Sequence, residues 1–329
     1  MKDERLMLLF LAFLIVACKP EKPQLTEAKG TPSELLVVLP TALVDSDIAD
    51  TLQTITDCDA PGLGSSERIF RTMTIGERGY EKVYRLMHSQ LKVEIDPKQR
   101  EPLLGVAHDV NARPQLQLMV KAATQADLGR FLSENRERIQ QLILDFQLDR
   151  WAGLLKKKHS KRVSEEMKRL GYEAFMPVDM ASAKRGKDFL WASSNRGGDN
   201  DINFVFFTLP WHGEDIGDID RFVHVRDSVL RANIPGAQEG QWMETMMTEE
   251  GTLVLWPVLR EGGQRLEVRG LWSMHGGFMG GPFVSHVSVD TLERQLVFAE
   301  GFVFSPNSSK RDLMRSVEAG LRTVRKVEK

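Results

Sequence analysis

Short apolar runs and helical periodicities alternate through the first half of the chain. Glu34–Pro40 (ELLVVLP) is a continuous apolar run closed by proline, the pattern of a short buried strand. Asp45–Thr56 carries Ile48, Leu52 and Ile55 at helical spacing. Arg68–Ile75 and Gln90–Ile95 predict strands, Asp59–Ser66 (DAPGLGSS) a loop, and Glu77–Met87 a helix. Leu116, Leu118 and Val120 alternate as a strand. Thr124 then predicts an N-cap for a helical face of Leu128, Phe131, Leu132, Ile139, Leu142 and Ile143. That periodicity runs, with interruptions, to about Leu170, where Gly171 predicts a C-cap.

Strands dominate the second half. Phe189–Ser193, Ile202–Leu209, Leu253–Leu259, Arg265–Ser273, Phe283–Val289 and Gln295–Phe304 predict strands, and Ile216–Ala232 and Asn307–Val327 predict helices. There are too few crossover helices to join these strands in parallel, so the predicted fold class is α+β, with largely antiparallel sheets and helices packed on one face. We divide the body into halves at 33–175 and 176–329. Leu118–Ile139 and Phe302–Val324 share an order of strand, short polar loop and capped helix. Two related halves would explain this echo, and so would chance recurrence of a common unit.

The N-terminus changes the picture. Lys2 and Arg5 precede an apolar run from Leu6 to Ala17 that stops at Cys18. A bilayer-spanning helix needs about 20 apolar residues, whereas a run of this length suits the core of a secretory signal. Ile15-Val16-Ala17-Cys18 resembles a bacterial lipobox, which implies a signal peptide over 1–17, a diacylglyceryl group on the Cys18 sulfur and an acyl chain such as palmitate on its amino group. An ordinary signal peptide or uncleaved anchor with a chance cysteine is the alternative. Residues 18–32, rich in proline and charge, read as a tether. The partner this implies is a membrane, reached through lipid. Lys19 in place of an acidic residue favours the outer membrane.

Composition narrows the functional classes. With 44 basic and 46 acidic residues the net charge is −2, which provides no electrostatic footprint for nucleic acid. The basic cluster 156-KKKHSKR-162 reads as a solvated helix face. Cys18 and Cys58 are the only cysteines, so no disulfide framework exists, and Cys58 reads as a small apolar residue. No His-Glu-x-x-His, Gly-x-Ser-x-Gly, P-loop or dinucleotide fingerprint occurs, and neither cofactor nor metal is implied. His212, before Gly213-Glu214-Asp215, reads as part of an acidic surface loop.

The stretch 270-GLWSMHGGFMGGPFVSHVSVD-290 concentrates glycine, aromatic residues and methionine. Strand alternation puts Glu267, Arg269, Leu271 and Ser273 on one face and Val268, Gly270, Trp272 and Met274 on the other. Gly276-Gly277 predicts a turn with positive φ, and Gly280-Gly281-Pro282 a close backbone approach. Three readings follow. One is a packed strand-turn-strand corner. The second is a pocket for an apolar or glycan ligand that uses Trp272, Gly280, Gly281, Pro282 and Phe283, with Arg226 and Asp227 behind them. The third is an active site on His275 or Asp290.

Arg226-Asp227, Ile234-Pro235-Gly236, Arg269–Trp272, Met279–Ser285, Asp290, Gly301–Phe304, Pro306 and Lys310-Arg311 together resemble an uncharacterised family of bacterial envelope lipoproteins, a domain of unknown function. DVNARPQ (Asp109–Gln115) and the Leu35–Leu39 strand fit the same family, so the resemblance covers nearly all of residues 33–327. Leu63–Phe70 departs from its proline-rich pattern. The resemblance implies an acylated N-terminus and a cell-envelope location, and it assigns no catalytic residue. The reading that follows is a lipid-anchored, non-enzymatic envelope module that binds a protein or glycan partner. The alternative is a hydrolase of an envelope polymer built on Asp290, His275 or Arg226.

Overall fold

The computed structural model describes residues 25–180, 182–194, 200–247, 253–260 and 263–327, by backbone alone at 256–260 and 263–264. The segment 1–17 read as a signal peptide, and Cys18, lie outside the described residues. The first half builds a five-stranded sheet from β1 (Glu34–Leu39), β2 (Arg71–Gly76), β3 (Ser89–Ile95), β4 (Leu103–His108) and β5 (Leu116–Ala122). Its order is β2-β1-β3-β5-β4. Helices α1 (Asp47–Thr56), α2 (Gln125–Glu134) and α3 (Arg136–Lys157) cover one face of it, and α4 (Lys161–Arg169) leads to the second half.

The second half builds an eight-stranded antiparallel sheet from β6 (Ser182–Arg185), β7 (Phe189–Ser193), β8 (Asp201–Pro210), β9 (Trp242–Thr245), β10 (Val254–Arg260), β11 (Gly263–His275), β12 (Gly280–Asp290) and β13 (Gln295–Phe304). The order is β9-β11-β12-β13-β8-β7-β6, with β10 also paired to β11. Helix α5 (Ile219–Asn233) covers one face, and α6 (Arg311–Leu321) covers the other.

The fold is α+β, as the pattern predicts, and the large sheet is antiparallel throughout. The smaller sheet differs. β1 runs parallel to β2 and β3, and β3 parallel to β5, leaving only β4 antiparallel at an edge. The runs ELLVVL and SQLKVEI form its middle, and α1 supplies the crossover that a parallel pair requires. Helices on one face describe this sheet, while the larger one carries a helix on each face. The two echoed strand-loop-helix units both form. β5 lies between one parallel and one antiparallel neighbour, and β13 between two antiparallel ones.

Local signals translate directly where no tertiary contact competes. Thr124 caps α2 by accepting from Asp127 N (3.1 Å). The long periodicity after it breaks at Asn135 and again before Ser160, which caps α4. Glu77–Met87 forms only a 3₁₀ turn and one helical turn over Lys82–Arg85, because its chain is drawn across the small sheet. There Tyr80 and Tyr84 pack on Leu36, Val38 and Met87. The C-terminal helix is shorter than predicted, ending at Leu321, after which Arg325–Lys326 pair with Tyr172–Glu173.

Helix α6 joins the halves. One side packs Val317 against Gly301, where a Cβ would lie 2.1 Å from a Val317 methyl, so the glycine admits the helix. The other side meets α3 through Ala319, Leu148 and Leu155. Glu67 holds its first turn, accepting from Lys310 N (2.8 Å) and Arg311 N (3.0 Å), and Arg322 bridges to Asp149 at 2.8 Å. The stretch Thr26–Thr31, read as tether, lies on the body. Thr26–Glu27 pair with Ala112–Arg113, Lys29 bridges to Met87, and Ala28 is buried.

Candidate binding pocket

The alternation in β11 is as predicted. Val268, Trp272 and Met274 join the core under α5, and Glu267 and Arg269 face α6. Register places Gly281 opposite Trp272 and Phe283 opposite Gly270. A Cβ on Gly281 would lie 2.1 Å from the Val303 carbonyl and 3.3 Å from Trp272 Nε1, and one on Gly280 would lie 2.9 Å from the Trp272 carbonyl. These glycines therefore provide space, not left-handed φ. In the hairpin it is Gly276 that takes positive φ, at +67°. Trp272 Nε1 reaches the Val303 carbonyl at 3.3 Å across the gap that Gly281 leaves open. Trp272 and Phe283 are core residues, and Phe278 at the hairpin tip is fully exposed.

Arg226 and Asp227 do not reach the Gly280–Pro282 backbone. Arg226 is completely buried, donating to both carboxylate oxygens of Glu300 (2.8 Å each) and to Thr245 Oγ1 (2.9 Å). Its guanidinium lies 4.0 Å from the centre of the Phe283 ring, and Ser285 also donates to Glu300. Asp227 accepts from Thr245 N (2.9 Å) and Thr245 Oγ1 (2.6 Å). The pair locks α5 onto β9 and β13, with every close polar group satisfied.

Beyond Trp272, the same face opens into a cavity of about 300 Å³. Its walls are Trp191, Trp272, Phe302, Phe304, Met274 and Met279, with Ile234–Ala237 after α5 closing one side. Trp272 meets Phe302 edge-on at 5.4 Å. The polar end holds Ser193, Asp201 and Asn203. Asp201 accepts from Ser193 Oγ (3.0 Å) and Ser194 Oγ (2.6 Å).

Asn203 is 2% exposed, and its Oδ1 accepts from Trp191 Nε1 at 2.9 Å. An indole N–H can only donate, so this bond decides which end of the amide is oxygen. The amide nitrogen is thereby turned to the cavity, with no protein acceptor among the described residues. Of the residues named from sequence for a ligand pocket, Trp272 alone lines this cavity, and Gly280, Gly281, Pro282 and Phe283 support it from behind; Ile234-Pro235-Gly236, Met279, Phe302 and Phe304, quoted for the family resemblance, line it as well. Trp191, Asn203 and Asp201 went unnoticed. The signal for Asn203 was present: it is the one polar side chain inside INFVFF.

The residues considered for catalysis do not converge. Ser288 stands opposite Arg265, ten positions from His275, which at ~3.3 Å per residue separates the Asp290 end from the His275 end by roughly 30 Å. Asp290 pairs with Lys326 and receives Leu292 N and Glu293 N (3.1 Å each). His275 stacks on Trp242 at 3.9 Å, beneath Arg231. His212 stays on an exposed loop whose backbone N–H donates to Glu214 (2.7 Å). On the opposite face Arg269 lies between Glu267 (2.8 Å) and Glu318, and His286 approaches Glu267 at 3.2 Å. Burial alone would raise the Glu267 pKa; Arg269 and His286 outweigh it and hold the carboxyl well below its usual range. That network belongs to the seam with α6. Cys58 packs beside the first core with its thiol pKa raised by burial and accepts from Gln140 (3.1 Å), the environment of an unreactive thiol.

Residues 159–323, half of the chain, match the family described as Domain of unknown function (DUF4837), and residues 28–156 match Domain of unknown function (DUF8532). All the pocket residues fall within the first match. No curated protein matches the chain. The chain belongs to the DUF4837 family.

Proposed function

We propose that this DUF4837-family chain is a lipid-anchored module of the bacterial cell envelope, without enzymatic activity, that binds an envelope partner through the pocket beside Trp272. The observation that carries the reading is Asn203: a buried amide, fixed by Trp191, presents a hydrogen-bond donor into a cavity walled by aromatic rings and thioethers. Binding sites are built this way, from mostly apolar walls with a few oriented polar groups. Hydrolysis of a glycan by the usual route needs two carboxyl groups flanking the bond, and among the described residues Asp201 is the only carboxylate in the lining. That favours binding over the hydrolase alternative.

Anchoring rests on the lipobox at Cys18. No helix among the described residues is long and apolar enough to cross a membrane. Because the body already holds the chain at Thr26, only residues 18–25 remain as tether, a reach under about 30 Å. Such a tether keeps the body close to the outer membrane.

Two measurements test the reading. Cys18→Ala should abolish incorporation of labelled palmitate and release the protein from the membrane fraction; continued labelling contradicts the anchor. Full-length protein in detergent should be retained by purified envelope material without releasing soluble fragments from it, and Trp191→Ala should end retention. Release of fragments would establish the hydrolase instead.

A further inference from the structure

We infer that the pocket accepts a single pyranose ring carrying an acetamido group, that is, an N-acetylated amino sugar. This rests on the reading of the pocket as the binding site and names its ligand class. Size comes first. About 300 Å³ is at the small end of ligand pockets, room for one ring and a short substituent.

Asn203 sets the second requirement. Its Oδ1 is occupied by Trp191 Nε1, so the amide cannot turn, and what it offers the cavity is a donor only. A buried donor left unmatched costs more than a matched one gains, so the ligand must bring an acceptor to that point. A hydroxyl would serve, but it can donate or accept and is indifferent to the choice. A carbonyl oxygen can only accept, which makes it the group this fixed donor distinguishes. The ligand's carbonyl oxygen would then replace water at Asn203 Nδ2.

The walls set the third. Trp191 and Phe304, both partly exposed, present flat surfaces suited to the C–H face of a sugar ring, whose polarised hydrogens meet the negative face of an aromatic. Met274 and Met279 provide a soft apolar wall for a methyl group, and thioethers adapt to such shapes. Charge sets the fourth. The lining carries one acid, Asp201, and one base, Lys184, so neither sign dominates, which suits an uncharged ring. A neutral ring with one carbonyl and one methyl is an acetamido sugar.

The test compares ligands before it compares proteins. Full-length protein in detergent micelles is titrated by calorimetry with N-acetylglucosamine, glucosamine and glucose. Binding of N-acetylglucosamine at least ten-fold tighter than either analogue is expected, with Asn203→Leu reducing it to the level of glucose. Equal affinity for all three sugars, lost together in Trp191→Ala, overturns the acetamido assignment and leaves the pocket as the site. If no sugar binds while envelope retention still depends on Trp191, the ligand class is wrong and the pocket is right. Retention or sugar binding indifferent to both Trp191→Ala and Asn203→Leu, in variants that melt like the parent protein, overturns the pocket itself.

Discussion

Arg226 and Asn203 lie under the same face of the same sheet, and both are buried polar side chains in aromatic surroundings. They differ in what remains unspent. Arg226 gives its donors to Glu300, Thr245 and Asp227. Asn203 uses its oxygen on Trp191 and keeps its nitrogen for the cavity. Burial of a polar group therefore does not by itself distinguish structure from function. The distinction is whether the protein consumes all of its hydrogen-bonding capacity.

The comparison is most open to refutation at Arg226. Arg226→Met should destabilise the fold by about 3–5 kcal/mol, because it leaves the Glu300 carboxylate buried without its cation. The double variant Arg226→Met with Glu300→Leu should recover much of that loss, as seen in denaturant melts of both. A loss below about 1 kcal/mol in the single variant would mean that the closed cluster is not closed.

His88 provides a second saturated group, just before β3 of the small sheet. Its Nε2 faces the Thr31 carbonyl at 2.7 Å and so donates, and its Nδ1 lies 2.8 Å from Ser89 Oγ and accepts. Burial pulls its pKa down to about 4, with the Thr31 carbonyl acting in the opposite direction. The folded pKa is below the unfolded value of 6.5, so the unfolded chain takes up the proton first. Stability should be complete above about pH 6.5 and decline as the pH falls towards 4, by up to about 3 kcal/mol. Melting curves at pH 7 and 4.5 for the parent and His88→Gln should show this extra acid sensitivity only in the parent.

Gly281→Val sharpens the boundary between pocket and support. The new side chain would collide with the Val303 carbonyl and press on Trp272, costing about 1–3 kcal/mol. It should lower the melting temperature and disturb binding together. Unchanged stability would show that β12 and β13 part there without cost. The smallest effect on folding belongs to Asn203→Leu. It orphans only the Trp191 N–H, at about 1 kcal/mol, yet should remove binding. A large stability loss there would put Asn203 in the same category as Arg226.

Much of this fold was legible along the chain. The period-two pattern of β11 sorted Trp272 and Met274 from Glu267 and Arg269, and Gln295–Phe304 has the predicted bounds of its strand. The stretch 270–290 combines a packed corner with one wall of a cavity. Gly280–Phe283 is a packed corner, and Trp272 within the same motif faces both the core and the cavity. Leu103–His108 escaped notice because it is an exposed edge strand with little alternation, held by its partner β5 more than by its own pattern.

Residues near one another in sequence determined what near neighbours can decide: which face of a strand is apolar, where Thr124 starts a helix, and how the large sheet alternates. Side-chain period and capping are local properties, and local properties can be read in order. The tertiary structure alone decided which strands became neighbours. That choice made the first sheet mostly parallel, set Arg226 against Glu300 across 74 positions, and gathered Trp191, Asn203, Trp272 and Phe304 around one cavity. Strand order is settled by packing of α5 and α6 against whole sheet faces, a sum over contacts distant in sequence, and no short stretch of the chain carries it.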